Sequence, residues 1–344
     1  MPDFPASSLH TLACELLMAV GTPRDVATTV ADSLIDANLT GHDSHGVLRL
    51  ISYLDGVRLG HVDPTAAPVV TSESGATAIV DARNGWGQPA MWLASESALA
   101  RARDFGLGAC VVRHSYHIGR VAPYVEYVAR ESMIGIAMAN AAPAVAPFGG
   151  RSRIMGTNPF AWAVPRGGGL PPVCLDVATA GVAEGKLRVA RAKGLPVPAG
   201  NIVDRDGQPS TDPQRFYDGG ALLTFGGHKG SGIGLLVQLI GLGLAGLDTS
   251  IYDGPRGVNG PFILAIDVTR FTPMTDFSAL IEAQLEIFLA CQPAEGVECV
   301  QLPGQPEMAT RTIREREGVP VADATWNDLA RLAVDHGVIP PKSM

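Results

Sequence analysis

The sequence predicts an α/β protein in which a helical domain, built from both ends of the chain, accompanies a central α/β domain. Short strand patterns alternate with helical patterns through the middle of the chain, as expected when strands and crossover helices build one sheet. Helical periodicity without strands occupies the first sixty residues and the region after residue 276. We therefore assign residues 1–72 and 290–344 to the helical domain and residues 73–289 to the α/β domain.

Three helices are predicted in the N-terminal segment. The first runs through SSLHTLACELLMAV with a serine as its N-cap, and the second follows the pair Thr22-Pro23, because proline is tolerated in a first turn. The third begins near Asp43, a good N-cap residue, and continues to Arg58.

One continuous third helix would bring three polar side chains together. His45, Arg49 and Tyr53 are spaced four residues apart, so they share one helical face. Histidine, arginine and tyrosine on one face form a candidate binding surface, with Arg49 able to hold a carboxylate through two parallel hydrogen bonds.

The α/β region is predicted from apolar runs bounded by turn residues. Strands are expected at TAIVDA, GACVVR, MIGIAMAN, PFAWAV, PVCLDV and FILAID, and helices from Gln88 to Phe105 and near Val121–Arg130. From Asp276 onward the pattern is again largely helical.

Composition and charge exclude several classes of function. A net charge of −8 does not fit non-specific nucleic-acid binding, which depends on clustered basic residues. The apolar stretch from Gly232 to Leu247 is interrupted by Gln238 and is too short for a membrane span. The N-terminus resembles no signal peptide, and the five cysteines contain no C-x-x-C pair, so a cytoplasmic protein is expected.

The segment GLGLAG at residues 241–246 matches the dinucleotide fingerprint G-x-G-x-x-G, and Asp267 follows at about the spacing of a ribose carboxylate. That fingerprint needs a strand before it and a helix opening at it. The preceding SGIGLLVQLI is typical of a helix, and LDTSIYDGPRGVNGP after it is turn-like. We interpret the glycines as helix-packing positions.

The segment VVRHSYHIGR contains His114 and His117 between two arginines. Two histidines three residues apart can bind a metal, but no third ligand or H-E-x-x-H motif accompanies them, so we assign no metal site. A histidine beside arginines suits reduction of a carbonyl next to a carboxylate, since histidine supplies the proton and arginine binds the anion. Arg49 and Arg120 are the two candidates for that arginine.

Two further segments are candidate binding loops. In LDVATAGVAEGK, Asp176 can bind ribose hydroxyls or act as a structural cap, and Thr179 can cap the next helix. In LLTFGGHKGSGIGLL, a glycine-rich bend presents His228 and Lys229 before a helix, which is a candidate phosphate cradle or a simple turn.

Together these segments resemble the malate/L-lactate dehydrogenase family (type 2), and most closely its bacterial hydroxycarboxylate dehydrogenases. The similarity covers nearly the whole chain and is carried by GHDSHGVLRL, GWGQPA, HSYHIGR, APFGGRSRIMGTNPFAWAVP, LDVATAGVAEGK, VPAGNIVDRDGQPSTDP, GGHKGSG and LPGQPE. The resemblance implies an NAD(P)-binding domain with a mixed sheet, distinct from the Rossmann fold. It also implies a homodimer with the site near the subunit interface.

The resemblance also implies residue roles. His117 corresponds to the catalytic proton donor and acceptor, and Arg49 to the arginine that binds the substrate carboxylate, with His45 and Tyr53 beside it. The expected contacts to NAD or NADP are His45, Gly119, Arg120, Val121, Leu175, Asp176, Val177, Ala178, His228, Lys229, Asn259, Gly304, Gln305, Pro306 and Glu307.

The predicted function is NAD(P)H-dependent interconversion of a small 2-oxo acid and an L-2-hydroxy acid. GGHKGS at residues 226–231 is closer to the cyclic-imine reductases of the family, so reduction of piperideine- or pyrroline-2-carboxylate is the alternative. A zinc-dependent hydrolase using His114 and His117, and a binding protein without activity, are the rival classes.

Overall fold

The computed structural model describes residues 1–192, 194–247 and 259–344. Within them the helices are α1 (Ala6–Ala19), α2 (Arg24–Leu39), α3 (Arg49–Arg58), α4 (Gly87–Phe105), α5 (Ala122–Arg130), α6 (Glu184–Ala192), α7 (Gln214–Tyr217), α8 (His228–Ala245), α9 (Met274–Leu289), α10 (Gln305–Glu317) and α11 (Asp323–Asp335). The strands are β1 (Asp3–Phe4), β2 (Val69–Ser74), β3 (Thr77–Asp81), β4 (Leu107–Arg113), β5 (Met133–Ala139), β6 (Phe160–Val164), β7 (Val173–Val177), β8 (Ile202–Val203), β9 (Pro209–Ser210), β10 (Ala221–Leu222), β11 (Pro261–Asp267) and β12 (Val319–Pro320). None of the helices in these ranges has the length and apolarity needed to cross a bilayer.

Seven strands form one mixed sheet in the order β2-β3-β4-β11-β5-β6-β7. Only β3 and β4 run parallel, joined through α4, and every other neighbouring pair is antiparallel. The late strand β11 occupies the centre, between β4 and β5. All six predicted strands belong to this sheet, and the prediction of a mixed α/β fold is confirmed.

Helix α4 packs closely on β4 because the residues on both sides of the contact are small. Ala94, Ala98 and Ala102 are fully buried along one face of the helix. A Cβ added to Gly108 of β4 would lie only 1.9 Å from the backbone oxygen of Ala98. Glycine at this position therefore allows the close approach of helix and sheet.

The two ends of the chain share a second hydrophobic core. Leu16 of α1, Leu34 of α2 and Leu329 of α11 are fully buried in it. The short antiparallel pair of β1 and β12 joins the ends directly. Trp86 and Tyr116 from the α/β part also belong to this core, so it lies against the loops that follow β3 and β4.

The predicted boundary between residues 72 and 73 falls within β2, whose residues pair with β3 from Val69 to Ser74. Residues 69–72 therefore belong to the sheet. The division of the chain into two domains stays a prediction.

The first helix does not begin at a serine cap. Pro5 is the N-cap residue, no side chain caps the helix, and both serines lie within α1. A fixed proline φ followed by good helix formers is enough to start a helix that is held by burial of its leucines.

The predicted third helix is broken in two. Asp43–His45 form a 3₁₀ turn, and α3 begins only at Arg49. The cause is Asn38, whose Oδ1 accepts from Val47 N at 2.8 Å and whose Nδ2 donates to Asp43 Oδ1 at 2.7 Å. A Cβ at Gly46 would lie 2.2 Å from Asn38 Oδ1, so the chain turns around this amide.

The segment GLGLAG forms the end of α8, with Gly246 as its C-cap, and of its glycines within the helix Gly241 packs closely whereas Gly243 does not. A Cβ at Gly241 would lie 2.9 Å from the backbone oxygen of Gly260, so the helix meets β11 closely there. Asp267 accepts from Thr269 N at 2.9 Å and caps a 3₁₀ turn. Most of the predicted turn LDTSIYDGPRGVNGP lies outside the described residues.

The sequence patterns did not predict β2 or the small sheet of β10, β8 and β9. Five of the six residues of β2 are exposed, so the strand lacks the alternation that marks a half-buried strand. The strands of the small sheet have two residues each, which is too short for any period.

Candidate active site

His117 lies in the loop between β4 and α5, where three groups surround its ring. Its Nδ1 is 2.8 Å from Tyr53 Oη and accepts a hydrogen bond from Gly119 N at 3.2 Å. The ring of His45 stacks against it with centroids 5.5 Å apart. Tyr53, His45 and His117 therefore meet at one place. The continuous helix from which a shared face of His45, Arg49 and Tyr53 was inferred does not form.

Glycine fixes this loop. A Cβ at Gly87, in the first turn of α4, would lie 2.5 Å from the backbone oxygen of Tyr116 and 2.7 Å from that of His117. Gly119 has a φ of +76°, a conformation that other residues rarely adopt. The imidazole is thus held by backbone packing on one side and by hydrogen bonds on the other.

Arg49 stands beside the two imidazoles. Its Nε donates to the backbone oxygen of Ser44 at 2.7 Å, and Ser44 Oγ lies 3.0 Å from His45 Nδ1. The terminal nitrogens of Arg49 have no hydrogen-bond partner among the residues that the structure describes. They present two parallel donors, the arrangement that binds a carboxylate.

Both imidazoles are neutral near pH 7. Burial and the nearby positive charge of Arg49 lower the pKa of His45 to about 3 and hold the pKa of His117 well below its ordinary value. Burial also raises the pKa of the Tyr53 hydroxyl, so it keeps its hydrogen. The cluster can donate hydrogen bonds to a carbonyl, and it favours an anion because Arg49 carries its charge.

The contacts of Arg120 do not favour it as the arginine that binds the substrate carboxylate. It is only 6% exposed, and its Nη1 donates to Asp36 Oδ2 at 2.9 Å and to Thr40 Oγ1 at 2.6 Å. An arginine held by two partners on α2 anchors the loop after His117. Arg49 is the remaining candidate.

Asp176 at the end of β7 caps α5. Its Oδ2 accepts from Val121 N at 2.9 Å and from Ala122 N at 2.8 Å. Its neighbours Leu175, Val177 and Ala178 are half-buried at the same strand end.

Thr179 does not cap the next helix, because its hydroxyl donates to the backbone oxygen of Thr157 at 3.1 Å. That contact ties the end of β7 to the loop before β6.

The glycine-rich bend leads into α8, as predicted. Gly226 and Gly227 have positive φ, and the helix begins at His228, so His228 and Lys229 are exposed in its first turn. A lysine at a helix N-terminus favours an anion. The structure gives no contact between these two residues and His117.

The start of α10 forms another part of the predicted cofactor surface. Gly304, with a φ of +92°, is its N-cap and lies near the backbone of Cys174 on β7. Glu307 in the first turn is 3.6 Å from His42 Nε2. Gln305 Oε1 accepts from Leu302 N at 2.7 Å, and Pro306 is exposed.

A cavity of about 1270 Å³ lies between α2, α4, α5 and α10. Arg120, Gly304, Gln305 and Glu307 line it, whereas His117 does not. The cavity therefore adjoins the predicted cofactor segments and is separate from the imidazole cluster.

Asn259 is buried next to the His117 loop. Its N–H donates to the backbone oxygen of Ser115 at 2.9 Å, and its Nδ2 donates to that of Asn140 at 2.6 Å. In the structure it connects the start of β11 to the two strands beside it, whose ends carry the site.

His114 and His117 do not converge on a metal site. His114 is exposed, and its Nδ1 lies 3.0 Å from Asp81 Oδ1, whereas His117 Nδ1 contacts Tyr53. No cluster of three or more histidine, cysteine or acidic side chains suited to a metal occurs in the described part of the chain. The hydrolase interpretation of this histidine pair loses its geometric basis.

Two residues of the cluster were missed by the sequence analysis. Gln88 Nε2 donates to Tyr53 Oη at 2.8 Å, and Ser44 Oγ contacts His45. A signal for Gln88 existed: it lies on the same helical face as Met91 and Ser95, which are buried, so a polar side chain there needs a specific partner.

Comparisons with known proteins agree with this fold. A model of the malate/L-lactate dehydrogenase family matches residues 4–330. The L-sulfolactate dehydrogenase of Methanocaldococcus jannaschii is 33% identical, with 95% of each chain covered. The Delta(1)-pyrroline-2-carboxylate/Delta(1)-piperideine-2-carboxylate reductase of Pseudomonas syringae pv. tomato is 35% identical, with 94% of each chain covered.

Solved structures show the same similarity. The malate dehydrogenase of Entamoeba histolytica superposes with a TM-score of 0.92 at 26% identity, with 99% of each chain covered. The family match and the relatives above 30% identity span almost the whole chain. The chain is therefore an oxidoreductase of the malate/L-lactate dehydrogenase family.

Proposed function

We propose that this enzyme interconverts a small 2-oxo acid and the corresponding L-2-hydroxy acid, with NAD or NADP as the redox partner. The observation that supports this most directly is the meeting of His117, His45 and Tyr53 beside Arg49, whose terminal nitrogens are available for an anion. When bound, the nicotinamide cofactor supplies or takes the hydride.

Arg49 binds the substrate carboxylate through two parallel hydrogen bonds and so fixes the position of the adjacent carbonyl. His117 gives a proton to the oxygen formed on reduction and takes it back on oxidation. The bound carboxylate offsets the charge of Arg49, which is one cause of the low pKa of His117. Substrate binding therefore favours protonation of the ring when the proton is needed.

The residues present fit a nicotinamide dinucleotide. Lys229 at the start of α8 suits a phosphate, and Gly304 at the start of α10 brings backbone close to β7. The N-terminus of α5 is already occupied by the Asp176 carboxylate, so phosphate binding falls to the other two helices. This arrangement uses no G-x-G-x-x-G strand-helix turn, and we propose a cofactor site unlike that of the Rossmann fold.

Oxidation of NADH and of NADPH, followed by absorbance, tests the proposal. The panel is pyruvate, oxaloacetate, phenylpyruvate, hydroxypyruvate and piperideine-2-carboxylate. We expect turnover with at least one oxo acid and a clear preference for one cofactor. Cofactor binding without turnover of any member of the panel would contradict the proposal.

Reduction of a cyclic imine carboxylate is the second candidate. It is supported by His228 and Ser231 in GGHKGS and by similarity to the Pseudomonas syringae reductase. The product is then a cyclic amine, so turnover of piperideine-2-carboxylate with no turnover of the four oxo acids would assign the enzyme to this reaction.

We further propose that two copies of the chain form the working enzyme. Leu235, Leu236 and Leu239 of α8 are at least 50% exposed, and Leu280 and Ile287 of α9 are more than 65% exposed. Large apolar side chains grouped on helices mark an interface. Light scattering is expected to give twice the mass of the chain, and Leu239→Glu should give a monomer, whereas a monomeric native protein would contradict the dimer.

A further inference from the structure

We propose that Tyr53 and Gln88 are positioning residues that determine which nitrogen of His117 carries hydrogen, through a hydrogen-bond chain whose direction can reverse. The proposal rests on the proposed role of His117 in proton transfer. It concerns Gln88 above all, a residue that lies behind Tyr53 in the first turn of α4.

In the ligand-free enzyme, the direction of the hydrogen-bond chain follows from the contact that Gly119 makes. A backbone N–H can only donate, and that of Gly119 points at His117 Nδ1 from 3.2 Å. Nδ1 therefore carries a lone pair, and the hydrogen of the neutral ring is on Nε2. Tyr53 must then donate its hydroxyl hydrogen to Nδ1, so its oxygen accepts from Gln88 Nε2 at 2.8 Å.

Proton transfer requires the opposite arrangement. If a neutral ring lost the hydrogen on Nε2, it would become an imidazolate anion, so the ring must hold hydrogen on Nδ1 when it donates. That hydrogen has to point at the Tyr53 oxygen, 2.8 Å away, and the longer hydrogen bond from Gly119 N at 3.2 Å is given up. The Tyr53 hydroxyl hydrogen must then turn to another acceptor.

Gln88 supplies that acceptor. Its side chain is fully buried, and its Oε1 has no hydrogen-bond partner among the described residues. A buried carbonyl oxygen without a partner is costly and needs an explanation. Rotation of the carboxamide brings Oε1 to the Tyr53 hydroxyl, so one side chain serves as donor at rest and as acceptor during proton transfer.

The other titratable groups that face His117 cannot replace this chain. Arg49 on α3 and His45 in the 3₁₀ turn are the charged and titratable neighbours besides Tyr53. Arginine has only donors. His45 meets His117 ring against ring, with its Nδ1 engaged by Ser44.

The first test is a nitrogen-15 spectrum of ligand-free enzyme labelled at histidine, which needs no substrate. We expect His117 to show an unprotonated Nδ1 and a protonated Nε2 near neutral pH. A resting ring protonated on Nδ1 would overturn the assignment, whether or not any oxo acid is turned over.

The second test compares Gln88→Glu, which keeps an acceptor, with Gln88→Met, which has neither donor nor acceptor. For reduction of the oxo acid, which needs protonated His117, we expect Gln88→Glu to raise the apparent pKa of the basic limb of kcat/KM by about one unit. Gln88→Met should lower kcat by about tenfold. The control is Ser95→Ala, since Ser95 is buried on the same face of α4 and bonds only within the helix, to Met91 O.

The third test asks whether Gln88 acts through Tyr53. In a Tyr53→Phe background the hydrogen-bond chain is already interrupted, so we expect the added Gln88→Met substitution to have little further effect on kcat. Additive effects, with unchanged pH profiles in both Gln88 variants, would make Gln88 a packing residue and overturn the proposal. Unfolding curves for each variant establish that the fold is retained.

Discussion

His117 and Arg49 lie close enough for the arginine to lower the pKa of the imidazole, yet substitutions at the two should affect different kinetic constants. His117→Ala removes the proton donor and leaves Arg49 in place. We expect kcat to fall roughly 10²- to 10⁴-fold, the range found for a general acid, while cofactor affinity measured by fluorescence stays near that of the native enzyme. Turnover within a few-fold of native would assign the proton to another group, with His45 next to be tested.

Arg49→Lys keeps the charge and removes the planar pair of donors. Lysine cannot form two parallel hydrogen bonds with a carboxylate, so we expect KM for the oxo acid to rise about tenfold or more, with a smaller change in kcat. Steady-state kinetics at saturating cofactor measure both constants. An unchanged KM would mean that the carboxylate is bound elsewhere.

At the level of secondary structure, Asp176 caps the N-terminus of α5. Asp176→Ala leaves two N–H groups at the start of α5 without an acceptor, and we expect the free energy of unfolding to fall by about 1 kcal/mol. Urea unfolding measures this. Asp328→Ala, an exposed acidic residue on α11 paired only with Arg331, is the control and should change stability by less than about 0.5 kcal/mol.

Asp176→Asn separates the capping of α5 from a contact with the cofactor. The amide oxygen can still accept from Val121 N, so most of the stability should return. If cofactor affinity is lost although stability returns, Asp176 also contacts the cofactor, as the family resemblance implies.

The elements that could be predicted from sequence are those whose pattern is local. Six of the seven strands of the main sheet and α4 are clear because apolar residues recur at the required period. The break before α3 could not be predicted, since it depends on Asn38 folding back onto residues 43 and 47. Arg120 was misjudged for the same reason: its partner Asp36 lies on another helix.

The site could be predicted only in part. His117, His45 and Arg49 stand in recognisable segments, and their grouping holds in the structure. For Gln88 the only signal is a polar side chain on the apolar face of α4, and its partner becomes clear only where the first turn of α4 meets Tyr53 on α3. Such contacts between distant segments are invisible to periodicity.

For the whole molecule, the two half-buried imidazoles, whose pKa values are lowered, predict a dependence of stability on pH. His45 has a pKa of about 3 when folded and 6.5 as an ordinary histidine. Between these values the unfolded chain binds a proton that the folded chain does not, so stability is full above pH 6.5 and declines as pH falls toward 3. Each such ring contributes a slope of about 1.4 kcal/mol per pH unit.

Urea unfolding at a series of pH values between about 7.5 and 5 measures that slope. His45→Asn removes one of the two rings, so the slope of the unfolding free energy against pH should decrease by the contribution of one proton. The half-buried His61 gives the matched variant, and His61→Asn is expected to leave the slope as it is. Equal slopes in all three proteins would mean that His45 titrates normally in the folded state.

The central position of β11 has a consequence for how the chain reaches its native state. β3 and β4 on one side, and β5, β6 and β7 on the other, are synthesised long before the strand that joins them. Until residue 267 has left the ribosome, β4 and β5 each present an unpaired edge. A growing chain must therefore keep two incomplete half-sheets apart from other chains, and the loop that carries His117 acquires its final support only when that late strand is inserted.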